Sequence, residues 1–256
     1  MTRTPALACV FALAVLTFGC TPSSHRLGSV IVSIVASPGP PPFSQITLAR
    51  EDFVQPLDSE WTWQLVDASG CAIESPPRRT RASTTTEYQS SRVLHDLGGD
   101  TEFFCASDTG TLTLSAVESA TDHVRTLFTP PLAIDWPANP SHPTSAASSA
   151  MRVEWLDGRG LRDSGVAERS SRIIGVARVA TDQGAFDTIA VESDFHARLR
   201  IAQVHRIETS WIAPSRGTVV VQWDERVSVL GVELSRDCGR AVRISPIPAA
   251  DRAGVP

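Results

Sequence analysis

The stretch "IAVESDFHARLRI", Ile189–Ile201, alternates with a period of two. Ile189, Val191, Phe195, Ala197, Leu199 and Ile201 are apolar, while Glu192, Asp194, His196, Arg198 and Arg200 are polar or charged. Successive side chains of a strand point to opposite faces, so this is one long strand with a buried face and a wet face. A strand that long needs equally long neighbours. After Gly217 the pattern recurs at Val219, Val221, Trp223, Val227 and Val229, and past Gly231 it shifts to Val232 and Leu234, as a bulge at Gly231 would produce. Long, regular, patterned strands predict an all-β fold: a curved antiparallel sheet or an open barrel.

The rest of the chain agrees with that class. From Trp61 onward, short apolar runs such as "WTWQLV", "EFFCA", "TLTLSAV" and "MRVEWL" alternate with turn residues, and no long helical period occurs. "SVIVSIVAS" (29–37) reads as a strand, and "PGPPPF" (38–43) as an extended linker. The Pro- and Ser-rich segment 129–150 reads as a long crossing connection or a linker between half-domains. The expected layout is a signal peptide at 1–19, a tether with a short strand and linker at 20–53, a β domain at 54–245, and a tail at 246–256.

The N-terminus predicts a location. One Arg precedes an apolar run from Ala6 to Gly19, too short to span a bilayer and suited to a secretory signal, and Cys20 follows. A small residue before that Cys resembles a bacterial lipobox, in which the Cys20 thiol is lipidated and becomes the first residue. Leu16 lies one step earlier than usual, and Thr17 and Phe18 hold the intervening positions. The expectation is a lipid-anchored cell-envelope protein of the outer membrane, with secretion to the periplasm as the alternative. Its partners would then be a membrane, reached through the anchor, and an unidentified ligand or envelope protein.

An oxidising envelope permits disulfides. With Cys9 in the signal and Cys20 assigned to lipid, Cys71, Cys105 and Cys238 remain, and Cys71–Cys105 is the candidate pair. There is no CxxC, and the six His lack HxH or HExxH spacing, so neither metal nor cofactor is expected. Glu192, Asp194 and His196 read as one surface-exposed strand face, and His196 and His205 flank an expected turn at Ala202–Gln203, where a metal pair is the minor alternative. The net charge of −5 offers no basic surface to nucleic acid. No GxSxG, Walker loop or dinucleotide fingerprint is present, so no catalytic residue is assigned.

Near the end, "SWIAPSRGTVVVQW" (210–223) breaks an apolar run with Pro214 and Gly217. Pro214 cannot donate to a ladder and Gly217 accepts positive φ, which makes a hairpin between Arg206–Ile212 and Thr218–Val229. "WIAPSRGTV" resembles the W-Y-A-P-G-x-G-x-V signature of a family of secreted bacterial β domains of unknown function, many of them lipoproteins. "GAFDTIAVE" (184–192) and "PLDSEWTW" (56–63) are similar to two further segments of that family. Ser215 and Arg216 replace Gly-Val, and Val220 replaces a Lys. The resemblance covers roughly 54–235 and implies a curved antiparallel β domain without established catalytic residues. The expected function is non-catalytic binding of an apolar or polymeric ligand, or a protein, on the curved sheet. The alternatives are a structural component of an envelope assembly and, third, a hydrolase. Val191, Phe195, Leu199, Ile201, Trp211 and Trp223 are the candidate ligand or core face, with Trp211, Pro214 and Gly217 defining the hairpin motif.

Overall fold

A computed structural model describes residues 26–36, 48, 50–96, 99–106, 112–134 and 144–245. Short elements come first: β1 (Arg26–Val30), β2 (Val32–Ala36), the helical turn α1 (Arg50–Phe53), β3 (Glu60–Val66), β4 (Cys71–Ile73), β5 (Arg78–Thr84), β6 (Arg92–Asp96) and β7 (Asp100–Ala106). The strands then lengthen: β8 (Leu112–Ser119), β9 (Val124–Ile134), β10 (Thr144–Trp155), β11 (Leu161–Thr181), β12 (Gly184–Leu199), β13 (Ala202–Ala213), β14 (Gly217–Val229) and β15 (Val232–Arg243).

From β5 to β15 every strand pairs antiparallel with its sequence neighbour. The sheet is closed rather than open, because β3 pairs with both ends of the series: Trp63 lies opposite Arg243 on β15 and opposite Arg78 on β5. The result is a twelve-stranded barrel, β3, β5–β15. Period two cannot reveal closure, since the closing strand is short and distant in sequence. Exposed pairs such as Arg172–Glu192 (2.6 Å), Arg198–Glu168 (2.6 Å) and Arg236–Asp224 (2.7 Å) cover the outer wall. Each adds less than about 1 kcal/mol, but together they favour one register. This charged outer wall on β11–β15 is the reverse of a membrane-spanning barrel, whose outward face is apolar.

The same sheet closes a second time. β1 and β2 are interrupted only at Ile31. β1 pairs with β4, which bridges to β3 through Val66 and Ala72, and β2 pairs with the far half of β11. β11–β15 and β3 are therefore shared by two circuits. The residues enclosed by the second circuit lie on the outer face of the first: Val66, Val179, Phe186, Ala213, Val220 and Val242, covered by Val32. β2 lies within the strand expected at 29–37, and β1 extends pairing into the segment expected as a tether.

Four expectations are corrected. Gly231 is not a bulge: Leu230 and Gly231, at φ 52° and 81°, form the two-residue turn between β14 and β15, and the register shift lies at Val227/Ser228. In the crossing segment 129–150 the described residues, 129–134 and 144–150, are strand. β9 continues through Pro130 and Pro131 because its pairing with β10 ends at Thr129, so neither missing N–H costs a bond on that side. The turn after β12 falls at Arg200–Ile201, before Ala202. Cys71 and Cys105 are not joined to each other; they sit on β4 and β7, which do not pair. Cys238 is disulfide-bonded, and neither of those two residues is its partner. Cys20 lies outside the described residues.

Candidate functional site

Twelve strands enclose more space than inward side chains fill. A cavity of about 1790 Å³ runs inside the barrel. Part of its wall is apolar: Phe104, Leu114, Phe128, Met151 and Val153 on β7–β10, continuing to Phe195, Ala197 and Leu199 on β12.

A belt of charge crosses this wall at one level. The ladder sets Arg169, Phe195, Arg206, Glu225 and Asp237 side by side on β11 to β15. Arg206 donates to Glu208 (2.8 Å) and Glu225 (3.3 Å). Glu102 on β7 acts electrostatically on Arg169 and Arg206. Arg206 and Glu225 open onto the lumen and are partly buried, with side-chain exposures of 39% and 31%. Burial raises the Glu102 carboxyl above its ordinary range although Arg169 and Arg206 oppose it, and burial lowers Arg169. Burial also acts downward on Arg206, but Glu208 and Glu225 more than offset it and hold the guanidinium charged. The Trp223 indole N–H donates to Asp237 (3.0 Å), and its ring packs against Gly239, where a Cβ would come within 2.6 Å.

One end of the lumen is plugged. α1 and residues 53–55 enter it, with Leu48 and Phe53 packed on Ile189, Val191 and Ile212. The Pro214–Gly217 turn holds the plug: the Ser215 backbone N–H donates to the Asp52 carboxylate, and Gly217, at φ 83°, faces Trp61. Arg243 is fully buried beside it, stacked over Trp61 at 4.4 Å and donating to the Arg216 carbonyl at 3.0 Å. Burial lowers its pKa to about 10.

The other end is a rim of hairpin tips. The Leu230 N–H donates to the Ile201 carbonyl (2.8 Å), and Arg200 reaches Asp163 (3.1 Å), tying three successive hairpins together. Leu156, Leu161, Ile201, Leu230 and Val232 are exposed there, Leu230 at 81%. Arg159 and Arg162 stack on Trp155 at 4.1 and 4.7 Å.

The candidate face named from sequence is divided. Phe195, Leu199 and Trp223 line the lumen, and Val191 lies beneath the plug. Ile201 borders the cavity only at the rim, where it is largely exposed. Trp211 is excluded, because the ladder sets it opposite Val220, one position out of phase with Val221 and Trp223, and it packs in the second core on the outer face. Sequence reasoning missed Glu102, Arg169, Arg206, Glu208 and Glu225. The signal was available in "HRIETSW", where Arg206 and Glu208 share parity with the apolar Val204 and Ile212.

On the outer wall, Asp194, His196 and His205 converge. The β12–β13 register sets His196 opposite His205, and period two puts Asp194 on the same face.

The molecule is thus a closed antiparallel β-barrel with a charged interior belt. No family model matches the chain, and no curated protein does. Among solved structures, a Bacteroides fragilis NCTC 9343 protein described as a "putative exported protein with YmcC-like fold" is similar at 14% identity and a TM-score of 0.36. The match covers 77% of this chain and 98% of that one. Geometry does not transfer at that score, so the barrel and its lumen rest on the strands described above.

Proposed function

We propose that this protein is a non-catalytic bacterial envelope lipoprotein whose barrel lumen holds an amphipathic lipid, its chains along the apolar wall and its polar group at the Arg–Glu belt. The observation that carries this reading is the cavity of about 1790 Å³, above the roughly 300–1,000 Å³ of drug-sized ligand pockets and walled by one sheet. The belt is already paired internally, which favours a hydrogen-bonding head group over a bare charge. The exposed apolar rim, with Arg159 and Arg162 beside it, suits transfer of a lipid from a bilayer surface. Location at the envelope rests on the N-terminal pattern ending in Cys20.

A fluorescent long-chain fatty acid and its neutral methyl ester test the reading. Saturable binding of either, reduced by Phe195→Asp and blocked by the lumen-filling Val227→Trp while the circular dichroism stays native, supports it. Binding of neither probe to a folded protein overturns it. Preference for the ester would place the polar group at the belt as argued.

A further inference from the structure

We propose that Asp194, His196 and His205 form a surface binding site for a late first-row divalent cation, with Zn²⁺ as its best-fitting member. Asp194 Oδ1 lies 3.1 Å from His196 Nε2 and 3.0 Å from His205 Nε2. The two imidazoles are stacked, their centroids 3.9 Å apart and their planes at 26°. All three ligand atoms fall within 4.8 Å of one another. Zn²⁺ binds His nitrogen and carboxylate oxygen at about 2.0–2.2 Å in a tetrahedron, which separates neighbouring ligand atoms by roughly 3.3 Å. The oxygen-to-nitrogen spacings are already close to that value. Two imidazoles and one carboxylate also suit Zn²⁺, Cu²⁺ or Ni²⁺ better than Mg²⁺ or Ca²⁺, which favour all-oxygen shells.

The site requires no rearrangement of the backbone. His196 and His205 are direct cross-strand partners, and both strands continue in the ladder past the site. The side chains are open to solution ions, with exposures of 47% for His196, 36% for His205 and 40% for Asp194. Neighbouring cations are neutralised: Arg198 is held by Glu168 at 2.6 Å, and Arg226, opposite His205 on β14, by Asp224 at 3.3 Å. A recess of about 400 Å³ lined by Ser148, Glu168 and Ser170 adjoins Asp194 and His196. It leaves room for a water or small ligand as fourth donor, the arrangement of an open site. On metal binding each Nε2 offers its lone pair to the ion while Nδ1 carries the ring's single proton, and the Asp194 oxygen exchanges its imidazole contacts for the metal.

Isothermal titration of the full chain with ZnCl₂ decides the matter, with Co²⁺ absorption as a coordination readout. One equivalent of Zn²⁺ should bind, and Co²⁺ should give the intense visible bands of a four-coordinate ion. His196→Ala, His205→Ala and Asp194→Asn should each weaken binding by roughly tenfold or more, with the melting curve of the metal-free protein unchanged. The double variant His196→Ala/His205→Ala should lose both signals. Equal binding in wild type and the double variant, or no binding by folded wild type, overturns the assignment.

Discussion

The Ser215 backbone N–H donates to the carboxylate of Asp52, 163 positions away in sequence. This bond joins the plug to the turn that reverses β13 into β14. Asp52 is 2% exposed, so the contact is shielded from competing water. Asp52→Ala removes the carboxylate acceptor of a partly buried hydrogen bond, which costs roughly 1.5–3 kcal/mol. The urea midpoint should fall accordingly, and residues 48–55 should become the first site of proteolytic cleavage. An unchanged midpoint would mean that apolar packing of Leu48 and Phe53 alone seats the plug.

Gly217 is the second fixture of that turn. Its φ is 83°, and an added Cβ would approach Trp61 to 3.2 Å and the Asp52 carbonyl to 3.5 Å. Gly217→Val therefore adds a strained backbone position to a clash within the plug contact. The expected loss is on the order of 1–3 kcal/mol. Gly158, with φ 80° and nothing within 4 Å of its added Cβ, is the control: Gly158→Val carries the backbone strain without the clash and should cost less. Equal losses would show that the Trp61 contact contributes nothing.

These two residues also mark how far the sequence can be read. Pro214 and Gly217 announced their hairpin, because their backbone limits are local. The alternation in 189–201 announced β12 and its apolar face, since parity is written in adjacent residues. Closure through Trp63, opposite both Arg243 and Arg78, depends on partners far apart in sequence. The Arg206–Glu225 pair was hidden for the same reason. On its own strand an inward charge reads as a break in the pattern, and only the register of β13 on β14 supplies its counter-ion. Trp211 and Trp223 both flank the turn and, from sequence alone, read as parts of one face. The register shift at Trp211/Ile212 had to be known before their faces could be assigned.

Cys20 carries the proposed anchor. Cys20→Ala should move the protein from the membrane fraction to the soluble envelope fraction, and intact-mass analysis of the native protein should show acyl chains on the N-terminal cysteine. Peptide mapping without reduction supplies the decisive alternative. Cys238 is disulfide-bonded, and a Cys20–Cys238 bridge in the purified protein would exclude a lipidated Cys20 thiol.

Glu102 sets a pH dependence whose sign can be worked out. Burial raises its carboxyl above the unfolded value of about 4.3, against the pull of Arg169 and Arg206, while Glu208 and Asp100 act with burial. Between the unfolded and folded pKa values the folded state binds more protons, so this group's contribution to stability declines as pH rises through that window. It is fully present below the unfolded pKa and is lost as pH rises through the folded pKa. Asp163 and Asp224 are lowered and act in the opposite sense, so the whole-protein profile mixes both effects. Comparison with Glu102→Gln isolates the one. The amide keeps the shape and cannot ionise, so the variant should have the higher urea midpoint at pH 7, and its advantage should shrink as pH falls towards 4. A variant that is less stable at pH 7, by a margin that closes on acidification, would mean instead that the attraction of Arg169 and Arg206 outweighs burial and that Glu102 is a working anion of the belt.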